Sequence, residues 1–139
     1  MTETKKQTQV EMLKEFNSKF EVPSFIDLPD AWARKKFFEL RLRLIREEFK
    51  EVCDELLDAI NGDGDFLTLA KELADLKYVV VGTEVLLDMP VEAIFAEVHR
   101  SNMSKLGTDG KPVRRADGKV LKGPNYEPAD LTRVFGVSD

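Results

Sequence analysis

The chain has 139 residues, 42% hydrophobic and 34% charged, which fits one soluble globular domain and excludes a disordered tail or a fibre. No apolar run, Tyr78 to Val81 included, approaches the roughly 18 residues of a bilayer span, and the first residues lack the apolar stretch of a signal peptide. The lone cysteine, Cys53, has no internal disulfide partner, which points to a reducing cytoplasm, and 21 basic against 26 acidic residues (net charge −5) argue against broad nucleic-acid binding.

In chain order, residues 1–9 are polar and expected to fray. Val10, Leu13, Phe16 and Phe20 have helical spacing. Pro23 and Pro29 mark a loop from Glu21 to Asp30, and Asp30 is placed to cap a helix over residues 31–60. On that helix Phe38, Leu42, Ile45, Phe49, Val52 and Leu56 recur every three or four residues and predict one buried stripe. Asn61-Gly-Asp-Gly-Asp65 ends it in a tight turn. Asp63-Gly64-Asp65 is not a calcium loop, because the position that must be glycine falls on Phe66 when Asn61 comes first. A very apolar helix follows over about 66–87. Pro90 suits the first turn of another at about 90–104, with Asp88 as its expected cap. Beyond it glycines recur every few residues, and the turn at Asp117-Gly118 predicts a small hairpin between Val113 and Leu121. Long helices joined by short turns predict an all-α, four-helix-bundle-type domain with a glycine-punctuated C-terminal flap.

Charge is distributed unevenly over this plan. Between His99 and Gly123 lie seven basic residues (Arg100, Lys105, Lys111, Arg114, Arg115, Lys119, Lys122) against Asp109 and Asp117, so the flap is +5 and the rest of the chain −10. An acidic body with one basic flap suits a site that holds both metal and phosphate. On the long helix, Glu47, Glu48 and Glu51 lie within an arc of roughly 100°, with Glu48 at the border of the apolar stripe. The next helix carries Glu72 and Asp75 three residues apart among Leu69, Leu73, Leu76, Val79 and Val80, where a carboxylate is costly without a cation and Asp75 is expected to be shut off from bulk water. Five carboxylates facing one another would repel; a hard divalent cation with oxygen ligands, Mg²⁺ or Mn²⁺, relieves this.

The pattern Glu47-Glu48-x-x-Glu51, about twenty residues, then Glu72-x-x-Asp75 resembles the signature of the all-α, MazG-like nucleoside triphosphate pyrophosphohydrolases. That superfamily includes dimeric dUTPases, dCTP pyrophosphatases and phosphoribosyl-ATP pyrophosphohydrolase. The resemblance continues through His99-Arg-Ser-Asn-Met-Ser-Lys105 and the tail from Asp117 to Tyr126, so it spans about residues 34–131. It implies one MazG-like domain over 1–139, with residues 105–128 as flap. The activity implied is Mg²⁺-dependent cleavage between the α and β phosphates of a nucleoside triphosphate, giving monophosphate and pyrophosphate. Glu47, Glu48, Glu51, Glu72 and Asp75 are then the metal ligands, with Glu47 or Glu48 as the acceptor of the proton of water. Lys105 and Lys122 hold phosphates, Asn102 the sugar or base, and Tyr126 stacks on or hydrogen-bonds to substrate. Phe16, Phe20 and Trp32 supply a base-stacking wall or fill the core. The tail favours dUTP or a related deoxynucleotide over phosphoribosyl-ATP, whose family is usually shorter and lacks a basic tail. A homodimer or dimer of dimers is expected, because helix 66–87 is apolar on too many sides for its neighbours to cover.

Two other readings compete. A non-catalytic helical module binding nucleotide or a partner would be betrayed by missing ligands, and none is missing. A nucleic-acid binder using the flap would have to overcome a body at −10, and binding to DNA above moderate salt would reveal it. His99, the only histidine, has no cysteine or serine partner for a nucleophilic triad and reads as a surface or structural residue. Cys53, beside Val52, reads as packing.

Overall fold

A computed structural model describes residues 2–136. It divides into two compact units, Met1–Met89 and Pro90–Asp139.

The first unit contains three helices. α1 (Gln9–Lys19) begins before the expected Val10, because Thr8 and Glu11 form a capping box. The Thr8 hydroxyl accepts from the Glu11 N–H and the Glu11 carboxylate from the Thr8 N–H, so two of the donors left open at a helix start are satisfied. The loop that follows is a loop as expected, except for one short 3₁₀ turn, Phe25–Asp27. α2 (Ala31–Ile60) has the expected bounds, and the Asp30 carboxylate accepts from the Ala33 N–H at 2.8 Å. The turn after it delivers a cap that the spacing alone did not single out: Asp65 accepts from the Leu67 N–H and the Thr68 hydroxyl and starts α3 (Phe66–Leu86).

α3 packs against both α1 and α2. The face of α2 that meets it shares only Ile45 and Val52 with the predicted stripe. Arg41 reaches across to α3, its Nε donating to Thr83 Oγ1 at 2.8 Å and its guanidinium to the Val79 carbonyl at 2.9 Å. The least exposed line on α2 therefore runs through Arg41, Leu44, Ile45, Glu48 and Val52. Phe38, Leu42, Phe49 and Leu56, expected in the core, are 44–58% exposed. The offset has a physical cause. α3 takes one arc of α2, and the more apolar arc beside it is left open. Among the described residues the buried hydrophobics are Leu13, Val52 and Leu86, and on α3 itself Phe66, Leu67 and Leu73 stay open.

The second unit holds α4 (Val91–Met103) and a two-stranded antiparallel ribbon, β1 (Val113–Arg114) with β2 (Val120–Leu121). The ribbon is the predicted hairpin, with Val113 opposite Leu121 and Arg114 opposite Val120. Asp88 does not cap α4: it sits in the left-handed region (φ 56°), and Pro90 occupies the cap position without a side-chain bond. The segment after the ribbon returns to α4. Glu97 accepts two bonds from Arg100 and one from the Asp130 N–H, and Arg100 also reaches Glu127. The Arg100 guanidinium and then the Asp130 N–H push the Glu97 carboxyl down to about 2. Because that carboxyl is more acidic folded than unfolded, its contribution to stability is complete above the ordinary carboxylate range and is lost as the pH falls toward 2. An NMR titration should find Glu97 still ionised at pH 3, with the Asp130 amide shifting as it protonates. An ordinary Glu97 midpoint would contradict the contact.

Candidate metal centre

Glu48 and Glu51 on α2 and Glu72 and Asp75 on α3 each direct a carboxylate oxygen into one cluster, all four atoms lying within 4.8 Å of one another. The placement follows from helical spacing. Glu48 lies on the α3-facing line of α2, Glu51 is close to it around the helix, and Glu72 and Asp75 are one turn apart on α3. Glu47 lies outside the group. It is about 100° from Glu48 around α2, exposed, in an open hollow with Glu39, Arg43 and Arg46.

Electrostatics in the cluster are unfavourable for the chain alone. The Glu72 side chain is 13% exposed, and the Glu51 carboxylate against it, followed by burial, raises its carboxyl above the usual range, with Lys71 opposing. The oxygens Glu48 Oε2 and Glu72 Oε2 are buried without a hydrogen-bond partner. Buried, orphaned anionic oxygens carry a desolvation cost that a bound cation repays. The donor set is all-oxygen and carboxylate-rich, which fits a hard divalent ion.

Two further charged residues, Lys71 and Glu55, border this cluster. Lys71 pairs with Asp75 at 2.7 Å and with Glu72 at 3.5 Å. The expectation that Asp75 is cut off from water is therefore corrected: its side chain is 37% exposed and already has a cationic partner. The cause is the open flank of α3, whose apolar residues are not surrounded within this chain. Glu55, one turn beyond Glu51, is also raised, first by desolvation and then by Asp58 and Glu72, so it extends the acidic field. The spacing Glu51-x-x-x-Glu55 and Lys71-x-x-x-Asp75 was the available signal for both.

The aromatic residues take definite places. Phe16 and Phe20 stack with ring centroids 4.4 Å apart, and Phe16 meets Tyr78 edge-on at 5.6 Å. Tyr78 is three residues beyond Asp75 on α3 and was not singled out. Phe20 is 67% exposed and Trp32 is 69% exposed, the latter with the Lys36 ammonium over its ring. In the second unit Asn102 is exposed, and Lys122 lies 4.8 Å above the Tyr126 ring. The Gly123 N–H donates to the Lys105 carbonyl at 2.8 Å. His99 is on the surface, and Cys53 is half-buried.

Against known families, residues 13–102 match the model of phosphoribosyl-ATP pyrophosphohydrolase. That match covers well over half of the chain, from within α1 to the end of α4. The chain belongs to the phosphoribosyl-ATP pyrophosphohydrolase family. The assignment agrees with the MazG-like resemblance and with an all-α fold carrying one small ribbon. A family of this kind makes the chain a pyrophosphohydrolase acting on a nucleotide. All four clustered carboxylates lie inside the matched segment, whereas Lys105, Lys122 and Tyr126 lie beyond it. Comparison with curated proteins gave no match. No helix among the described residues is long and apolar enough to cross a membrane.

Proposed function

We propose that the chain is a Mg²⁺-dependent nucleoside triphosphate pyrophosphohydrolase that cuts between the α and β phosphates and removes a nucleotide, dUTP or a close relative, from the cytoplasmic pool. The supporting observation is the four-carboxylate cluster with two orphaned buried oxygens, formed by the family's matched helices. Glu48, Glu51, Glu72 and Asp75 would hold Mg²⁺, with Mn²⁺ able to replace it. The ion would supply neutralisation of phosphate charge and acidification of water.

The chain's own groups account for the rest of the chemistry. Lys71 keeps the cluster tolerable when no ion is held, because its ammonium offsets Asp75 and Glu72. Glu47, outside the four-oxygen group, would accept the proton of the attacking water or serve as a further ligand; Glu48 takes that proton role if Glu47 does not. Lys105 and Lys122 hold phosphate oxygens, and Asn102 the sugar or base. Tyr126 supports Lys122 by offering its ring face to the ammonium. Phe20, stacked on Phe16 and open to solvent, offers a face for a base.

The family match favours a second substrate, phosphoribosyl-ATP, whose triphosphate presents the same anhydride bond. A panel of canonical and modified triphosphates together with phosphoribosyl-ATP, assayed for pyrophosphate against orthophosphate, decides between them. The proposal expects pyrophosphate as the direct product and the highest kcat/KM for a pyrimidine deoxynucleotide. A preference for phosphoribosyl-ATP selects the second reading, and orthophosphate as the direct product removes both.

The open apolar residues support a homodimer or dimer of dimers. Phe49, Leu56, Phe66 and Leu67 are 44–81% exposed, which a stable soluble protein normally covers. Sedimentation at micromolar concentration should show a species at least twice the chain mass; a monomer would contradict it.

A further inference from the structure

The flap beyond α4 is tied down by hydrogen bonds to its backbone at defined points. Ser101, the one buried residue of α4, donates from Oγ to the Glu127 carbonyl at 2.8 Å. Ser104 Oγ accepts from the Glu127 N–H at 2.9 Å and donates to the Ser101 carbonyl at 2.6 Å. Two serines one turn apart thus grip both polar groups of one peptide residue. Four residues earlier the Gly123 N–H bonds to the Lys105 carbonyl, and the approach is too close for any side chain: a Cβ on Gly123 would meet the Leu106 carbonyl oxygen at 2.5 Å and that of Lys105 at 2.7 Å. Both obstacles are backbone, which cannot swing aside as a side chain can.

The consequence falls on two lysines. The Lys105 carbonyl accepts the bond from the Gly123 N–H, and Lys122 is the residue next to Gly123, so the backbones carrying them are one hydrogen bond apart. Lys122 is then steadied by the Tyr126 ring. Neither lysine has an acidic partner among the described residues, although Arg100 and Arg115 in the same unit have theirs. Two lysines whose backbones meet at one hydrogen bond, and whose ammonium groups are not neutralised by carboxylates, suit a multiply charged phosphate anion.

We propose that Gly123, Ser101 and Ser104 are positioning residues: they dock residues 122–127 on the end of α4 so that Lys105 and Lys122 form one clamp for a diphosphate group. The proposal rests on the pyrophosphohydrolase reading only for the identity of that anion, the pyrophosphate end of the substrate. Glycine at 123 is demanded by the contact with the 105–106 backbone, and the serines supply the hydroxyls that a docked peptide needs.

The test is calorimetric titration of the whole chain with inorganic pyrophosphate in EDTA, where the carboxylate centre takes no part. Wild type should bind, and Gly123→Ala should bind about tenfold more weakly. Ser104→Ala should weaken binding in the same direction, with Ser104→Thr restoring it, so the outcome does not depend on how well Gly123→Ala folds. In a Lys105→Ala/Lys122→Ala background, Gly123→Ala should cost nothing further, which a merely structural role does not predict. The proposal is overturned if wild type binds no pyrophosphate in EDTA, if Gly123→Ala and Ser104→Ala bind like wild type, or if Gly123→Ala loses as much again without the lysines. Pyrophosphate release from a triphosphate with Mg²⁺, assayed on the same wild-type preparation, judges the hydrolase reading separately.

Discussion

Glu72→Gln should reduce Mg²⁺-dependent pyrophosphate release by about a thousandfold or more while raising the melting temperature of the metal-free protein. Both effects come from one charge. The Glu72 side chain is 13% exposed against 37% for Asp75, with Glu51 against it and its Oε2 buried without a partner. Glutamine keeps the shape and removes the anion, so the repulsion with Glu51 disappears and a ligand is lost. The raised Glu72 carboxyl sets the pH dependence. Because it is less acidic folded than unfolded, it disfavours the fold above its folded pKa, and that penalty is relieved as the pH falls toward the usual carboxylate range. The gain from Glu72→Gln should therefore be present at neutral pH and vanish in acid. Melts at pH 7 and pH 4 in EDTA, beside turnover assays, read both. A destabilised, active Glu72→Gln protein would mean that Glu72 is a structural group.

Arg41→Met should cost about 2–3 kcal/mol of stability. Arg41 is the polar tie between α2 and α3, bonded to Thr83 Oγ1 and the Val79 carbonyl, and partial burial lowers its pKa below the ordinary arginine value without making it neutral. Methionine preserves much of the packing and neither bond. Denaturant unfolding measures the loss, and an unchanged midpoint would show that the α2–α3 contact rests on apolar packing alone. The carboxylate cluster sits on the same two helices, so Arg41→Met should also weaken any divalent-cation binding there, through the pairing of α2 with α3.

Much of this architecture was legible from local signals. Asp30 before an amphipathic run located the start of α2, and Asp117-Gly118 located the ribbon, because a cap and a turn depend on residues only two or three positions apart. The pairing of Glu48 and Glu51 with Glu72 and Asp75 was also readable, since i, i+3 spacing fixes which residues share a helix face. The packing face of α2 was readable only in part. Of the hydropathy stripe Ile45 and Val52 are enclosed, but Phe38, Leu42, Phe49 and Leu56 are not, because α3 lies along the arc with Arg41 and Glu48, and periodicity does not distinguish a face covered inside the chain from one left for another molecule. The same blindness hid the exposure of Asp75. Thr8 and Glu11 were a readable capping box that the apolar spacing from Val10 obscured.

Titration of the chain with Mn²⁺ followed by electron paramagnetic resonance tests, without substrate, whether Glu48, Glu51, Glu72 and Asp75 together hold a divalent cation. The expected result is saturable loss of the free Mn²⁺ signal, competition by Mg²⁺, an accompanying rise in melting temperature, and loss of this binding in Glu72→Gln. Wild type and Glu72→Gln that leave the free Mn²⁺ signal equally unchanged, or bind it equally well, would contradict the assignment of the cluster as the metal centre.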